Sequence, residues 1–202
     1  MLPSQAQRPK EILPSDRRYR LGGGLFLASL FVFFLSSILL YLIYAFWRRD
    51  DPQSSVPLPS TFFVSTVCLL LISMLVHRAT RTVRREQRKS TCTLLLISAV
   101  AAILFMCVQF YAMTELLGGP ALRGGTGKGV AGMVAVLALL HGLHVLGGVF
   151  ALGIVSVRSL LGMYDHERHW PVDFAAQYWH FLDAVWLCML TAFWWTTGGF
   201  AL

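Results

Sequence analysis

The chain has 202 residues, 56% of them hydrophobic and only 13% charged, with a mean hydropathy of +0.62. Soluble domains carry about 25% charged residues, so the composition excludes a soluble enzyme and places the chain in a bilayer. The net charge of +7 then reads as a membrane-topology signal and not as an affinity for nucleic acid.

Residues 1–21 are polar, with no short apolar core followed by a small-residue cleavage site, so they are expected to form a cytoplasmic tail and not a signal peptide. Five segments then reach the roughly 20 apolar residues that a spanning helix needs. They are 22–47, 60–77, 92–117, 130–157 and 173–197. The second opens after VPLP, where Pro57 and Pro59 suit a helix entrance. The fourth is longer than a hydrocarbon layer of about 30 Å requires, so it is expected to tilt. The expected fold is all-α: a polytopic membrane bundle in which residues 22–202 supply five transmembrane helices.

The basic residues orient the bundle. The tail, the second loop and the fourth connection hold 13 Lys and Arg residues, against 4 in the other two loops. Arg48 and Arg49 in the first loop are also offset by Asp50 and Asp51. This asymmetry places the N-terminus inside and the C-terminus outside. The second loop, HRATRTVRREQRKS, presents Arg78, Arg81, Arg84 and Arg85 beside His77. These five are candidates for contact with anionic lipid headgroups, worth about 1 kcal/mol per basic residue near the surface.

GGPALRGGTGKG, residues 118–129, contains the Gly-Lys pair of a phosphate-binding loop but fails the pattern twice. Leu122 stands where the first glycine belongs, and Gly129 replaces the hydroxyl residue that would hold magnesium. It is expected to be an external turn. Cys68, Cys92, Cys107 and Cys188 lie in or beside apolar runs without CxxC spacing, and are expected to be small buried residues.

The last two spans carry the polar residues that bear on function. HGLHVLGGVF holds His141 and His144, and QYWHFLDAVW holds His180 and Asp183; each pair is three apart and shares a helix face. An ionisable group at mid-bilayer costs about 2.5–3.5 kcal/mol on insertion scales, so each needs a partner or a purpose. Counting from the inner ends, His144 lies about 20 Å deep and Asp183 about 15 Å. A hydrogen bond from His144 or His141 to Asp183 is therefore expected. Structural pairing, proton or lipid-headgroup handling, and metal or haem ligation are all open uses of these residues, although no further ligand set completes a metal shell.

Small residues at four-residue intervals suggest close helix approach. Ala176, His180, Ala184, Cys188 and Ala192 form one such stripe, and Gly147 with Ala151 and Gly24 with Ala28 form shorter ones. Trp194 and Trp195 fit an interfacial aromatic belt at the outer end.

VAVLALLHGLHVLGGVF, followed some thirty residues later by FAAQYWHFLDAVWLCMLTAFWW, closely resembles subunit III of the haem–copper terminal oxidases, a family that includes cytochrome c and quinol oxidases. The match is specific over residues 130–197 and continues more weakly upstream through His77, Gln109 and Glu115. Five spans resemble the short bacterial form. The resemblance implies a non-catalytic subunit of the bacterial inner membrane, without a redox centre or metal site of its own. Haem and copper would belong to partner subunits I and II, while this chain holds phospholipid, supports proton uptake and stabilises the complex. On that reading His141, His144, His180, Asp183, Trp179 and Glu115 form a buried polar core. Two departures stand out: Leu30 occupies a position where many relatives carry a buried glutamate, and Ala112 breaks a Gln-x-x-Glu pattern that begins at Gln109. They bear on any proton-related role and leave a nitric-oxide-reductase-associated branch as an alternative. A stand-alone transporter or proton channel using the His/Asp cluster, and a membrane metalloenzyme, are the readings from other classes; no internal repeat supports the transporter.

Overall fold

The structure, a computed structural model, describes residues 14–49, 58, 60–85, 87–118, 129–163 and 170–197. Five helices account for nearly all of them: α1 (Pro14–Trp47), α2 (Thr61–Arg84), α3 (Arg88–Gly118), α4 (Val130–Leu160) and α5 (Trp170–Thr197). A backbone in hydrocarbon has no water to bond to, so long runs of Leu, Phe, Ala and Ile must close their own i to i−4 hydrogen bonds. α1 to α4 contain segments long and apolar enough to cross a membrane: Arg18–Trp47, Thr61–Arg84, Arg88–Gly118 and Val130–Leu160. α5 is comparable in length at 28 residues, but Gln177, His180 and Asp183 lower its hydropathy.

The helices overrun the apolar segments. α1 begins at Pro14 instead of residue 22, α2 continues to Arg84 instead of 77, and α3 begins at Arg88 instead of 92. Arg and Lys are good helix formers, so the helix continues after its hydrophobic run stops. The basic loop expected between α2 and α3 is therefore mostly helical. Arg85 N–H donates to Thr82 O at 3.2 Å, Gln87 N–H to the same carbonyl at 3.1 Å, and Thr91 Oγ1 to Thr82 Oγ1 at 2.9 Å. These bonds close a tight antiparallel hairpin. Residues 1–13 of the polar tail, Pro57, Pro59, and residues 119–128 of the glycine turn lie outside the described residues.

α2, α3, α4 and α5 form a ring in which each helix packs on the next and α5 closes on α2. α1 lies outside the ring against α5 and α4. Neighbours in the ring are antiparallel, as paired contacts show. Ser156 Oγ of α4 donates to Leu95 O of α3 at 3.1 Å; across α2 and α5, Arg84 meets Asp173 while Thr66 meets Trp186. Trp179, Trp186, Phe62, Phe105 and Phe193 fill the interior with almost no exposure.

α1 is held chiefly by aromatic side chains. Phe26 packs on Phe174 and Tyr178 with ring centroids 6.4 and 6.1 Å apart, and Tyr41 bonds the Thr196 hydroxyl farther along. Of the four-residue stripes only Ala176 and Ala192 are buried. Gly24, Ala28, Gly147 and Ala151 are exposed, as are His180, Ala184 and Cys188. A step of four residues turns a 3.6-residue helix by about 40° beyond a full turn, so a long four-residue stripe winds off the interface. The close approaches fall one position away. A Cβ on Gly23 would stand 2.8 Å from Phe174 Cε2, and one on Gly148 would stand 3.0 Å from Tyr178 Cε1. Of the four free cysteines, Cys107 and Cys188 are exposed and not buried as expected; an apolar outer face accommodates a thiol as readily as a core does.

Gly23→Leu should lower the stability of the chain by about 1–3 kcal/mol, as overpacking does. Gly22→Leu should not, since nothing lies within 4 Å of a Cβ there. Thermal denaturation of the two variants in detergent distinguishes them.

Candidate functional site

The polar residues singled out from the sequence separate into three environments. The first is the flank between α2 and α5. Ser73 and His77, one turn apart on α2, face His180 and Asp183, one turn apart on α5. Ser73 Oγ lies 2.6 Å from His180 Nδ1, and His180 Nε2 lies 3.4 Å from His77 Nδ1. Asp183 Oδ2 is 4.0 Å from His180 Nδ1. His180 thus meets Ser73 through Nδ1 and His77 through Nε2, and its tautomer sets which nitrogen donates.

The expected bond from His144 or His141 to Asp183 is not made. Asp183 lies instead beside Ser73 of α2 and His180 of its own helix, while the two histidines of α4 turn elsewhere. His144 Nδ1–H donates to Leu140 O at 2.7 Å, within α4. His141 is fully buried; its ring stacks on Trp186 at 5.2 Å and 27°, and neither nitrogen has a hydrogen-bond partner in the protein. Depth along the bilayer brings α4 and α5 to the same level, but helix rotation decides which side chains meet.

The second environment is the ring interior, where Trp179, Asp183 and His141 are buried. Here Trp186 Nε1–H donates to Thr66 Oγ1 at 2.8 Å, binding α5 to α2 across the core. On the other side of α4, Tyr178 Oη donates to His144 O at 2.8 Å and Phe34 of α1 packs edge-on against His144 at 4.9 Å. Leu30 and Ala112 are both buried apolar contacts.

The third environment is the pair of helix ends. His180 and Glu115 do not belong to a buried core: His180 is 46% exposed, and Glu115 is an exposed residue that accepts a 2.7 Å bond from Thr61 Oγ1 at the start of α2. At the opposite end Arg84 donates to Asp173 at 3.0 Å. Arg20, Arg84, Trp170, Asp173, Phe174 and Gln177 line a cleft of about 320 Å³ there. Arg78, Arg81 and Arg85 are exposed at the same end of α2, while His77 is drawn to His180.

Thr66, Ser73 and Trp186 were missed as site residues in the sequence. Thr66, Ser73 and Thr80 recur every seven residues on α2 and are all buried, a heptad signal that marks a polar seam between helices. Among the described residues, no three His, Cys, Asp or Glu side chains gather as a metal-binding group.

The arrangement is that of helices bonded to each other through their polar residues. The family model of cytochrome c oxidase subunit III matches residues 16–197, which include all five helices almost end to end. The chain belongs to the cytochrome c oxidase subunit III family. Cytochrome c oxidase subunit 3 of Pylaiella littoralis is 33% identical over 84% of this chain and 61% of its own length. That of Synechocystis sp. is 30% identical over 82% of the chain and 70% of its own length. That of Pongo abelii is 27% identical over 91% and 72%. The chain thus spans less than two thirds of the Pylaiella relative and somewhat more of the other two. Family membership and the apolar helices together make this a multi-pass membrane protein, whose family sits in a complex with other oxidase subunits.

The Thr66–Trp186 bond provides a direct measure of how polar seams hold such a subunit together. A double-mutant cycle of Thr66→Val and Trp186→Phe should give a coupling of about 0.6 kcal/mol and no more than about 1.7, the range of hydrogen bonds between membrane helices. Unfolding of the four variants in mixed micelles reads it.

Proposed function

We propose that this chain is the non-catalytic subunit III of a bacterial haem–copper oxidase, packed beside subunits I and II in the inner membrane. All five helices cross the bilayer, with the N-terminus inside and the C-terminus outside, as the 13-to-4 distribution of basic residues requires. The observation that carries the reading is the use of the family-motif polar residues. His180 turns to Ser73 and His77, His144 to its own helix backbone, and Trp186 to Thr66. His180, His144 and Trp186 are engaged in contacts within and between helices, which supports a structural role for them. Its contribution is to assembly, proton uptake and lipid retention.

The inner cleft gives the lipid role a location. Arg84 and Arg20 line it with Trp170, and Arg78, Arg81 and Arg85 extend the positive surface around it. A phospholipid phosphate would sit against these guanidinium groups, with acyl chains along the exposed leucines and phenylalanines of α1. Leu30 and Ala112 replace carboxylates with packed apolar side chains, so support of proton uptake here would come from scaffolding and lipid, not from acids at those two positions.

Gentle extraction of the tagged chain from native membranes should recover a many-helix haem protein with it. Removal of this chain should then leave the visible absorbance with the partner. Recovery of the chain alone and colourless, or with haem retained after separation, would overturn the assignment. Replacing Arg78, Arg81 and Arg85 together by Gln should reduce the anionic phospholipid that co-purifies, measured by lipid mass spectrometry, at about 1 kcal/mol per residue. The same change at Arg48 and Arg49 should leave it unchanged.

A further inference from the structure

Three helices of the ring carry buried side-chain polar atoms that no protein group bonds, Trp179 Nε1 of α5 among them. Gln109 of α3 has neither its amide nitrogen nor its oxygen bonded; His141 of α4 has neither ring nitrogen bonded; Asp183 of α5 has Oδ1 unbonded. They lie at comparable levels along the bundle. The Ser156–Leu95 bond sets the register of α3 against α4. From it, Gln109 lies 14 residues toward the outer side and His141 lies 15 in the same direction, about 21 and 22 Å. Asp183 is linked to this level through Trp186, one turn along α5, whose ring stacks on His141.

Neither lipid nor a partner subunit can reach these atoms. His141 has no exposure at all, and Gln109 and Asp183 are exposed by 5% and 7%. Rotating His141 toward either neighbour would break its stacking on Trp186 and its edge contact with Phe34. Buried polar atoms without protein partners are ordinarily met by internal water, which offers two donors and two acceptors and makes about three bonds per molecule.

We propose that the ring of α2 to α5 encloses ordered water bound to Gln109, His141 and Oδ1 of Asp183. Asp183 connects this water to the outside. Its Oδ1 is sealed from solvent and unbonded, while its Oδ2 lies 4.0 Å from His180, which is 46% exposed and in contact with His77. The flank cluster is thus the route by which the water exchanges. The proposal is independent of the oxidase assignment, since it concerns the interior of this chain alone.

Radiolytic hydroxyl labelling in oxygen-18 water tests it on the chain in its native assembly. A residue beside bound water is oxidised even when bulk solvent cannot touch it. Trp186, exposed by 1%, should incorporate oxygen-18 several times faster than in a Gln109→Leu, His141→Phe variant, which removes the four orphaned atoms of those two residues. Equal labelling in the two proteins, or none in the natural one, would overturn the proposal. Should the variant fail to assemble, a high-resolution map of the natural complex decides. Density within hydrogen-bond distance of both His141 nitrogens is the expected result. Direct side-chain bonds from Gln109 to His141 to Asp183 without such density would refute it.

Discussion

A polar group in hydrocarbon must find its partner within the protein, and α5 carries Asp173, Gln177, His180 and Asp183 in about three turns. The rest of the bundle is arranged around meeting that demand. Arg84 takes Asp173, Ser73 and His77 take His180, and Thr66 takes the indole N–H of Trp186. All four partners come from α2, so the second and fifth helices are joined from the Arg84–Asp173 end to the middle of their length. The hairpin at Thr82 and Thr91 brings α3 with α2, and the Ser156–Leu95 bond brings α4 with α3. A ring of four helices results from these seams, and apolar packing fills it.

α1 obeys a different logic. Tyr41 bonds Thr196, and α1 is held chiefly by rings laid against rings: Tyr19 on Trp170, Phe26 on Phe174 and Tyr178, and Phe34 on His144 and Phe181. Aromatic contact with an adjacent helix supplies large area without polar atoms to satisfy. Gly23 lets Phe174 and Trp170 come close enough for this. Much of the opposite face of α1, including Phe31, Val32, Leu35 and Leu39, remains exposed, as suits a helix that meets lipid or another subunit.

The two histidines of HGLHV thus have unequal roles despite sharing a face. His144 satisfies itself through Leu140 and serves α1 as an aromatic surface. His141 is sealed against Trp186, its nitrogens turned to no protein group. A buried imidazole in that state is a demand for water, and the same holds for Gln109 on the facing helix. The polar motif by which the family is recognised therefore joins helices on its outer flank and hydrates the interior behind it.

Apolar run length by itself determined the five helices, because a chain without water to bond to has little alternative to a helix. The order of HGLHV and YWHFLDAVW likewise placed the polar residues on the fourth and fifth helices at comparable depth. Helix ends were not legible, since Arg78 to Arg84 propagate a helix as well as leucines do. Nor were the partners of Asp183. Rise per residue supplies depth, a single coordinate, whereas pairing also depends on rotation about the axis. That rotation was decided by tertiary packing: Ser73 and His77 of α2 captured His180, Trp186 captured His141, and Gly23 replaced Gly24 as the point of close approach. One residue along a helix is about 100° around it, and only the neighbouring helices determine which of those directions is inward.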